Sequence, residues 1–429
     1  MSTLLRFTIE NFRSIAERKT MVFTPTSIKD EPYSNIVKDA NGDYLRTTAI
    51  YGANSSGKSN IILGISKMAH LVQSSIKMND KEELSYEPFL LNKANTNKPT
   101  LYEVEFVING IRYRYGFSNT AQEICEEWLI RKEKSGKESN LFIRTLEGIG
   151  VNDKLFSEGK DLEERTNNNR LFISLVGQLG GKISNSIIDF FQKGINVLSG
   201  LDTNSYNSFT KLYLNKNAPG CGEMKSFFKR AQLGFKDVVS MDHDFEANDL
   251  PKDIPNELRE ELIKDFKGTK QIKIFSSHGI YDEDGTMVGT QNFEFDEMES
   301  AGTRKLFDMA GPIFDTLNSG TVLVIDELDA KMHPLISLEL VSLFNDPDRN
   351  QNCAQLIFST HDTNLLSSHL LRRDQIWFTE KDSQERTDIY NMMQIVLPDG
   401  SKPRGDGNIG RNYINGRYGG IPYIIPYTE

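Results

Sequence analysis

The stretch that most constrains this chain is residues 52–59, Gly-Ala-Asn-Ser-Ser-Gly-Lys-Ser, a G-x-x-x-x-G-K-S run. A short β-prone segment, residues 47–51, precedes it. Ile61, Ile62, Ile65, Met68 and Leu71 follow at helical spacing. Strand, glycine loop and helix is the context in which such a run cradles phosphate. Glycine at 52 and 57 lets the backbone turn so that successive N–H groups point inward, and the helix adds the positive end of its dipole. The residues expected to hold phosphate are Gly52, Asn54, Ser55, Ser56, Gly57, Lys58, Ser59 and Asn60. Lys58 reaches the β- and γ-phosphates of a nucleotide, and Ser59 ligates Mg2+.

The chain's 429 residues predict about two to three domain-sized units. A net charge of −10 argues against general nucleic-acid binding by bulk charge, while leaving room for a local basic groove. Cys125, Cys221 and Cys353 are far apart and form no C-x-x-C pair, so they read as reduced thiols. The N-terminus lacks a basic segment followed by an apolar run, and no apolar stretch approaches the ~18 residues of a membrane span. The expectation is a cytoplasmic protein with no membrane association.

In chain order, residues 4–12 and 19–23 read as a first strand pair. Leu5, Phe7 and Ile9 alternate against Arg6, Thr8 and Glu10, and the pair is expected to lie against the phosphate-loop strand. Residues 101–117 alternate around Asn109-Gly110, a hairpin signal. Further strands at 126–132 and 141–144 extend an antiparallel sheet. Amphipathic segments at 184–195, 222–233 and 255–266 predict helices, and residues 271–295 return to strand character. These readings divide the chain into a first ATPase lobe (1–159), a helical insertion (160–266) and a second lobe (267–429). The fold class is α/β: a P-loop nucleoside triphosphatase with a mixed central sheet, an antiparallel β lobe and a helical insertion.

Residues 321–327, Thr-Val-Leu-Val-Ile-Asp-Glu, read as a buried parallel strand that delivers two acids to its C-terminal edge. Asp326 would hold Mg2+ through water, and Glu327 would orient and polarise the attacking water. The acidic strand lies far from the phosphate loop in sequence. Ring-forming AAA-type motors and Ras-like GTPases place it much closer, so the distance predicts two halves of one ATPase divided by a large insertion. Asn92-Lys93-Ala94-Asn95 lacks the terminal Asp of a guanine-reading motif and reads as a loop.

Asn11-Phe12-Arg13-Ser14, the phosphate loop and Val324-Ile325-Asp326-Glu327-Leu328-Asp329 resemble the ABC-type ATPases of the chromosome-maintenance and recombination-repair group. Glu299-Ser300-Ala301-Gly302-Thr303, before a helical run, resembles a degenerate form of that family's signature. The apolar strand 355–361 ends in His361, which matches its switch histidine. The resemblance implies an ABC/SMC-head fold, ATP and Mg2+ as cofactors, and a homodimer with ATP sandwiched between heads, a larger assembly being left open. Arg13 would touch the γ-phosphate or the loop, and Asp329 would cross the dimer interface. Ser300 and Gly302 would contact the γ-phosphate bound by the partner subunit, and His361 would sense the same phosphate in cis. The glutamine usual at the lobe junction is not identifiable; Gln73, in the post-loop helix, is a poor candidate.

A closer resemblance is to compact prokaryotic ATPases of phage defence, the ATPase subunits of RloA/RloB and AbiL-type pairs. It rests on Glu87-Pro88-Phe89, Glu126-Glu127-Trp128-Leu129, residues 302–307 and the tail 412–422. That resemblance implies a separate effector protein like a Toprim-type nuclease. The C-terminal stretch interleaves Lys402, Arg404, Arg411 and Arg417 with Tyr413, Tyr418, Tyr423 and Tyr427. Three readings stay open for it: packing on its own domain, docking a partner, or binding single-stranded nucleic acid. The function so implied is an ATP-gated switch subunit of an anti-phage system that controls a separate effector. The alternative is a DNA-repair ATPase that clamps DNA directly.

Overall fold

The computed structural model describes residues 2–201, 204–247, 250, 255–367, 369–405 and 407–422. The chain forms two compact units, residues 1–201 with 319–429, and residues 202–318.

The first unit holds two large sheets. The six-stranded sheet runs, in spatial order, Ile195–Ser199, Val322–Asp326, Gln355–Ser359, Thr47–Gly52, Ile376–Lys381 and Thr387–Asn391. All neighbours are parallel except the last pair. Its inner strands are short apolar runs because both faces are covered; every residue of Thr47–Gly52 is buried. The helix Lys58–Ser74 follows the phosphate loop and buries Ile61, Ile62, Ile65, Met68, Leu71 and Val72. These join Phe7, Ile9, Val104, Phe106, Val322 and Val324 in one core.

The seven-stranded antiparallel sheet runs Gly148–Val151, Glu138–Thr145, Ile124–Lys132, Ile111–Asn119, Thr100–Ile108, Ser2–Glu10 and Lys19–Val22. Asn109 and Gly110 both take positive φ, 50° and 71°, as a two-residue hairpin turn requires. Ser2–Glu10 bonds to Thr100–Ile108 in a sheet separate from the phosphate-loop strand, and its Phe7 and Ile9 share a core with Ile50 of that strand. One expectation for the first strand pair is corrected. Leu5 does not share the cluster of Phe7 and Ile9. A register shift between Leu4 and Arg6 interrupts the alternation, and Leu5 packs with Val37, Tyr44 and Val107.

The second unit, residues 202–318, contains a three-stranded antiparallel sheet, Asp237–Asp244, Lys270–Tyr281 and Met287–Glu294. It also contains the helices Cys221–Arg230 and Asn256–Phe266 and most of Ala301–Ser319. Phe227, Phe228, Phe235, Phe295, Phe307 and Phe314 form an aromatic core, with Phe295 and Phe307 4.8 Å apart. In topology this whole unit is the crossover between two neighbouring parallel strands, Ile195–Ser199 and Val322–Asp326.

These limits differ from the insertion read at 160–266. The helices Phe172–Gln178 and Lys182–Asp189 stay with the first unit, and the strands Lys270–Tyr281 and Met287–Glu294 belong to the second. Glu127 is one reason. It is wholly buried and accepts the N–H groups of Phe172 (2.7 Å) and Ile173 (3.0 Å) and the hydroxyl of Tyr115 (3.0 Å). Burial pushes its carboxyl up, against the opposing pull of Arg144. A helix whose first N–H groups are satisfied by the antiparallel sheet is anchored there. Among the described residues no helix is long and apolar enough to cross a membrane.

Candidate functional site

The phosphate loop leaves the C-terminal edge of Thr47–Gly52 between two parallel neighbours. Its shape is fixed by side chains around it. A Cβ at Gly52 would lie 2.6 Å from the Thr379 carbonyl oxygen, and one at Gly57, whose φ is 111°, would lie 2.6 Å from Thr387 Cγ2. Only glycine fits either place. Ser56 Oγ pairs with Thr379 Oγ1 at 2.5 Å, and Thr387 Oγ1 donates to the Ser56 carbonyl at 2.9 Å. Asn60 Nδ2 donates to Ser14 Oγ at 2.7 Å. Asn54, Ser55 and Ser59 remain exposed along the loop.

Lys58 is 5 % exposed, and its ammonium donates to the carbonyls of Gly52 (2.8 Å) and Ala53 (3.0 Å). Burial lowers its pKa, while Asp326, Glu327 and Asp329 oppose that shift. Asp326 ends the strand Val322–Asp326, and Glu327 and Asp329 follow it. Asp326 Oδ1 accepts from Ser359 Oγ at 2.5 Å, and the Glu327 N–H donates to the same hydroxyl at 2.8 Å. Glu327 has φ 54°, in the left-handed region. The His361 N–H points at both Asp329 carboxylate oxygens from 3.4 Å. Partial burial and the Lys58 charge lower the His361 pKa, with Asp329, Glu327 and Asp326 opposing.

A cavity of about 630 Å3 is lined by Ser14, residues 54–60, Glu327, His361 and Lys381. The donor set suits a polyphosphate: one buried ammonium, exposed hydroxyls, and the first N–H groups of a helix, which have no intrahelical acceptor. Ser59 and the Asp326 and Glu327 carboxylates are oxygen ligands of the type Mg2+ takes.

Arg13 does not line this cavity. Its guanidinium pairs with Glu87 at 2.5 Å, and Glu87 also pairs with Lys67 at 2.7 Å. Burial would raise the Glu87 pKa, but the two cations hold it below its usual value. Arg13 faces an adjoining cavity of about 470 Å3 with Pro88, Leu90 and Leu91, which shares Ser14 and Lys381 with the first. Ser300 and Gly302 belong to the second unit. There Ser300 caps the helix Ala301–Ser319, its Oγ accepting the Thr303 N–H at 3.2 Å. Gln73 donates to the Phe191 carbonyl and is absent from the lining of the phosphate cavity.

Lys381 is the site residue that the motifs do not reveal. It ends the strand Ile376–Lys381, which pairs with the phosphate-loop strand. The tail also differs from a free docking arm. Tyr413 and Tyr418 are buried; the Tyr413 ring stands 5.6 Å from Tyr51, and its hydroxyl donates to the Gly420 carbonyl at 2.9 Å. Residues 409–422 thus pack on their own sheet edge, while Lys402, Arg404, Arg411 and Arg417 stay exposed. Tyr423 and Tyr427 lie outside the described residues.

Comparison with solved structures gives low-scoring similarity to two SMC heads. The SMC head domain from Thermotoga maritima is 16 % identical over 90 % of this chain and 98 % of that one, with a TM-score of 0.41. An SMC head bound to the C-winged helix domain of ScpA is 13 % identical over 90 % and 97 %, with a TM-score of 0.44. A search of the curated proteins found no match. The model of the AAA domain family described as "putative AbiEii toxin, Type IV TA system" matches residues 47–367, from the strand Thr47–Gly52 past His361, and the chain belongs to that family.

Proposed function

We propose that the protein is a Mg2+-dependent ATPase whose ATP-loaded heads close as a homodimer, and whose cycle controls a separate effector in prokaryotic anti-phage defence. One observation carries the catalytic part. Lys58, Glu327 and His361, each just beyond one of three neighbouring parallel strands, line a single cavity of about 630 Å3.

Bound Mg2+ would supply positive charge against the negative charge that develops on the phosphate oxygens. The Ser59 hydroxyl would hold the ion, and Asp326, its carboxylate fixed by Ser359, would hold it through water. The Lys58 ammonium turns from the loop carbonyls to the phosphate oxygens. Glu327 accepts a hydrogen bond from the attacking water and draws off its proton. His361, neutral at pH 7 with its lowered pKa, hydrogen-bonds the γ-phosphate without competing for its charge. The adjoining cavity, with the exposed Leu90 and Leu91 beside Arg13, takes the nucleoside. Ser300 and Gly302, at the N-terminus of a long helix, serve the γ-phosphate of the partner subunit. Asp329 crosses between heads.

The effector rests on the phage-defence resemblance and on a family description that names a toxin–antitoxin system. Docking through Tyr418 is not part of this reading, since that side chain is 3 % exposed.

Phosphate release and sedimentation of Glu327→Gln test the proposal. The amide is nearly isosteric but a poor base, so ATP binding should persist while turnover falls by about 100-fold or more, and a closed dimer should accumulate. Hydrolysis at the wild-type rate would remove Glu327 from its role. ATP-dependent retention of DNA by the trapped dimer would favour direct DNA clamping, and nuclease activity lost with Lys58→Ala would remove the separate effector.

A further inference from the structure

Gly200 stands next to the last residue of the first unit before the chain passes into the second. It follows the strand Ile195–Ser199, in which Ser199 lies opposite Asp326. The pairing continues one residue further, since the Gly200 N–H donates to the Asp326 carbonyl at 2.6 Å. This bond brings Gly200 directly onto the backbone of Glu327. A Cβ at position 200 would lie 2.7 Å from the Asp326 oxygen and 2.8 Å from the Glu327 carbonyl carbon, and closer still to the Glu327 oxygen. These are main-chain atoms and cannot rotate aside as the end of a side chain could.

Glu327 is held from its other side as well. Its N–H donates to Ser359 Oγ at 2.8 Å, and the Leu328 N–H donates to the Ser359 carbonyl at 3.0 Å. Between these contacts Glu327 keeps a φ of 54°. That region is disfavoured for a residue with a Cβ, and a strained backbone persists only where its surroundings over-determine it. Ser359 supplies that constraint at the Glu327 and Leu328 N–H groups, and Gly200 at the Glu327 carbonyl.

We infer that Gly200 is a positioning residue for Glu327, so that the strand leading into the 202–318 unit sets the aim of the carboxylate that activates water. The inference rests on the assignment of hydrolysis to Glu327. Gly200 acts only through the Glu327 peptide. Any displacement of the chain where it enters the second unit moves that peptide, which gives the unit a covalent route to the hydrolysis rate. No junction glutamine is needed for it.

Gly200→Ala tests this in the full chain, with hydrolysis and the binding of a non-hydrolysable ATP analogue measured side by side. A shift of about 1 Å in a catalytic group can cost on the order of 100-fold, so kcat should fall by about that much. Analogue affinity should stay within about twofold, the signature of an interaction that matters only in the transition state. Gly200→Ala combined with Glu327→Gln should be no slower than Glu327→Gln alone. Wild-type kcat in folded Gly200→Ala, or a defect that adds in full to Glu327→Gln, would overturn the inference. Should Gly200→Ala melt early, adding Glu327→Gly should restore folding and analogue binding, because glycine at 327 lets the peptide turn away; failure to restore them would also overturn it. An inactive wild type, or a fully active Glu327→Gln, would instead bring down the parent assignment.

Discussion

The phosphate loop and the Ser300 turn, the two proposed halves of one ATP site, are built in different ways. The loop rises from a wholly buried strand and is tied by Thr379, Thr387, Ser14 and the Lys58 ammonium. The Ser300 turn is exposed. It is held by its own helix cap and by Glu299, which pairs with His278 at 3.0 Å. A site braced in advance loses little entropy on binding. The cap uses a lone pair of Ser300, and its hydroxyl pairs with that of Thr303 at 3.0 Å, either of which can donate, so the Ser300 proton can be redirected to a phosphate. On the proposed reading, affinity for ATP would belong to the first unit and ATP-dependent closure to the second, and mutation should separate them.

The largest expected effect breaks the first half. Lys58→Ala removes a buried ammonium, and two charge-assisted hydrogen bonds at about 1.5–3 kcal/mol each correspond to a loss of ATP affinity of on the order of 100-fold or more by titration calorimetry. The next effect breaks the second half. Ser300→Arg or Gly302→Asp should leave affinity within about threefold, since both are surface changes at residues absent from the lining of the phosphate-loop cavity. In the Glu327→Gln background either should abolish the ATP-dependent dimer in sedimentation. A dimer that survives both would mean that the Ser300 turn is not the trans half, and the comparison would fail.

What could be read in advance follows from where the physics is local. Buried parallel strands are continuous apolar runs, so Val322–Asp326 and Gln355–Ser359 were visible with the residues at their ends. Asn109-Gly110 announced its hairpin because positive φ at two successive positions favours those residues. The limits of the insertion were hidden because what anchors Phe172–Gln178 is Glu127, a residue on a distant strand. Arg13 illustrates the same problem at the site. Its motif pointed at the nucleotide, but its partner Glu87 lies across a loop. Lys381 was hidden because a lysine at a strand end has no local signature; it lines the cavity only because its strand pairs with Thr47–Gly52. The tail was ambiguous for a chemical reason, since interleaved Tyr and Arg look alike in a docking arm and in a packed segment. Positive φ at Gly416, Gly419 and Gly420 lets the packed form approach the sheet, with a Cβ at Gly420 falling 3.7 Å from Gly52 Cα.

The smallest expected effect sharpens the account of the first half, by reading its charges from His361. Partial burial and the Lys58 charge lower the His361 pKa from 6.5, and Asp329, Glu327 and Asp326 raise it. With the folded value depressed, the imidazole is neutral at pH 7. Its contribution to stability is present above the ordinary histidine value and is lost as pH falls through the lowered one. In nucleotide-free protein, an NMR titration of the His361 ring should therefore find its midpoint below 6.5. Lys58→Ala removes a lowering cause and should move that midpoint up. Glu327→Gln removes a raising cause and should move it further down. The two variants thus act on one reporter in opposite directions, which a general loosening of the site would not produce. Shifts of the same sign, or none, would mean that His361 does not sense the charges of the cavity it lines, and the phosphate-sensing role proposed for it would lose its electrostatic basis.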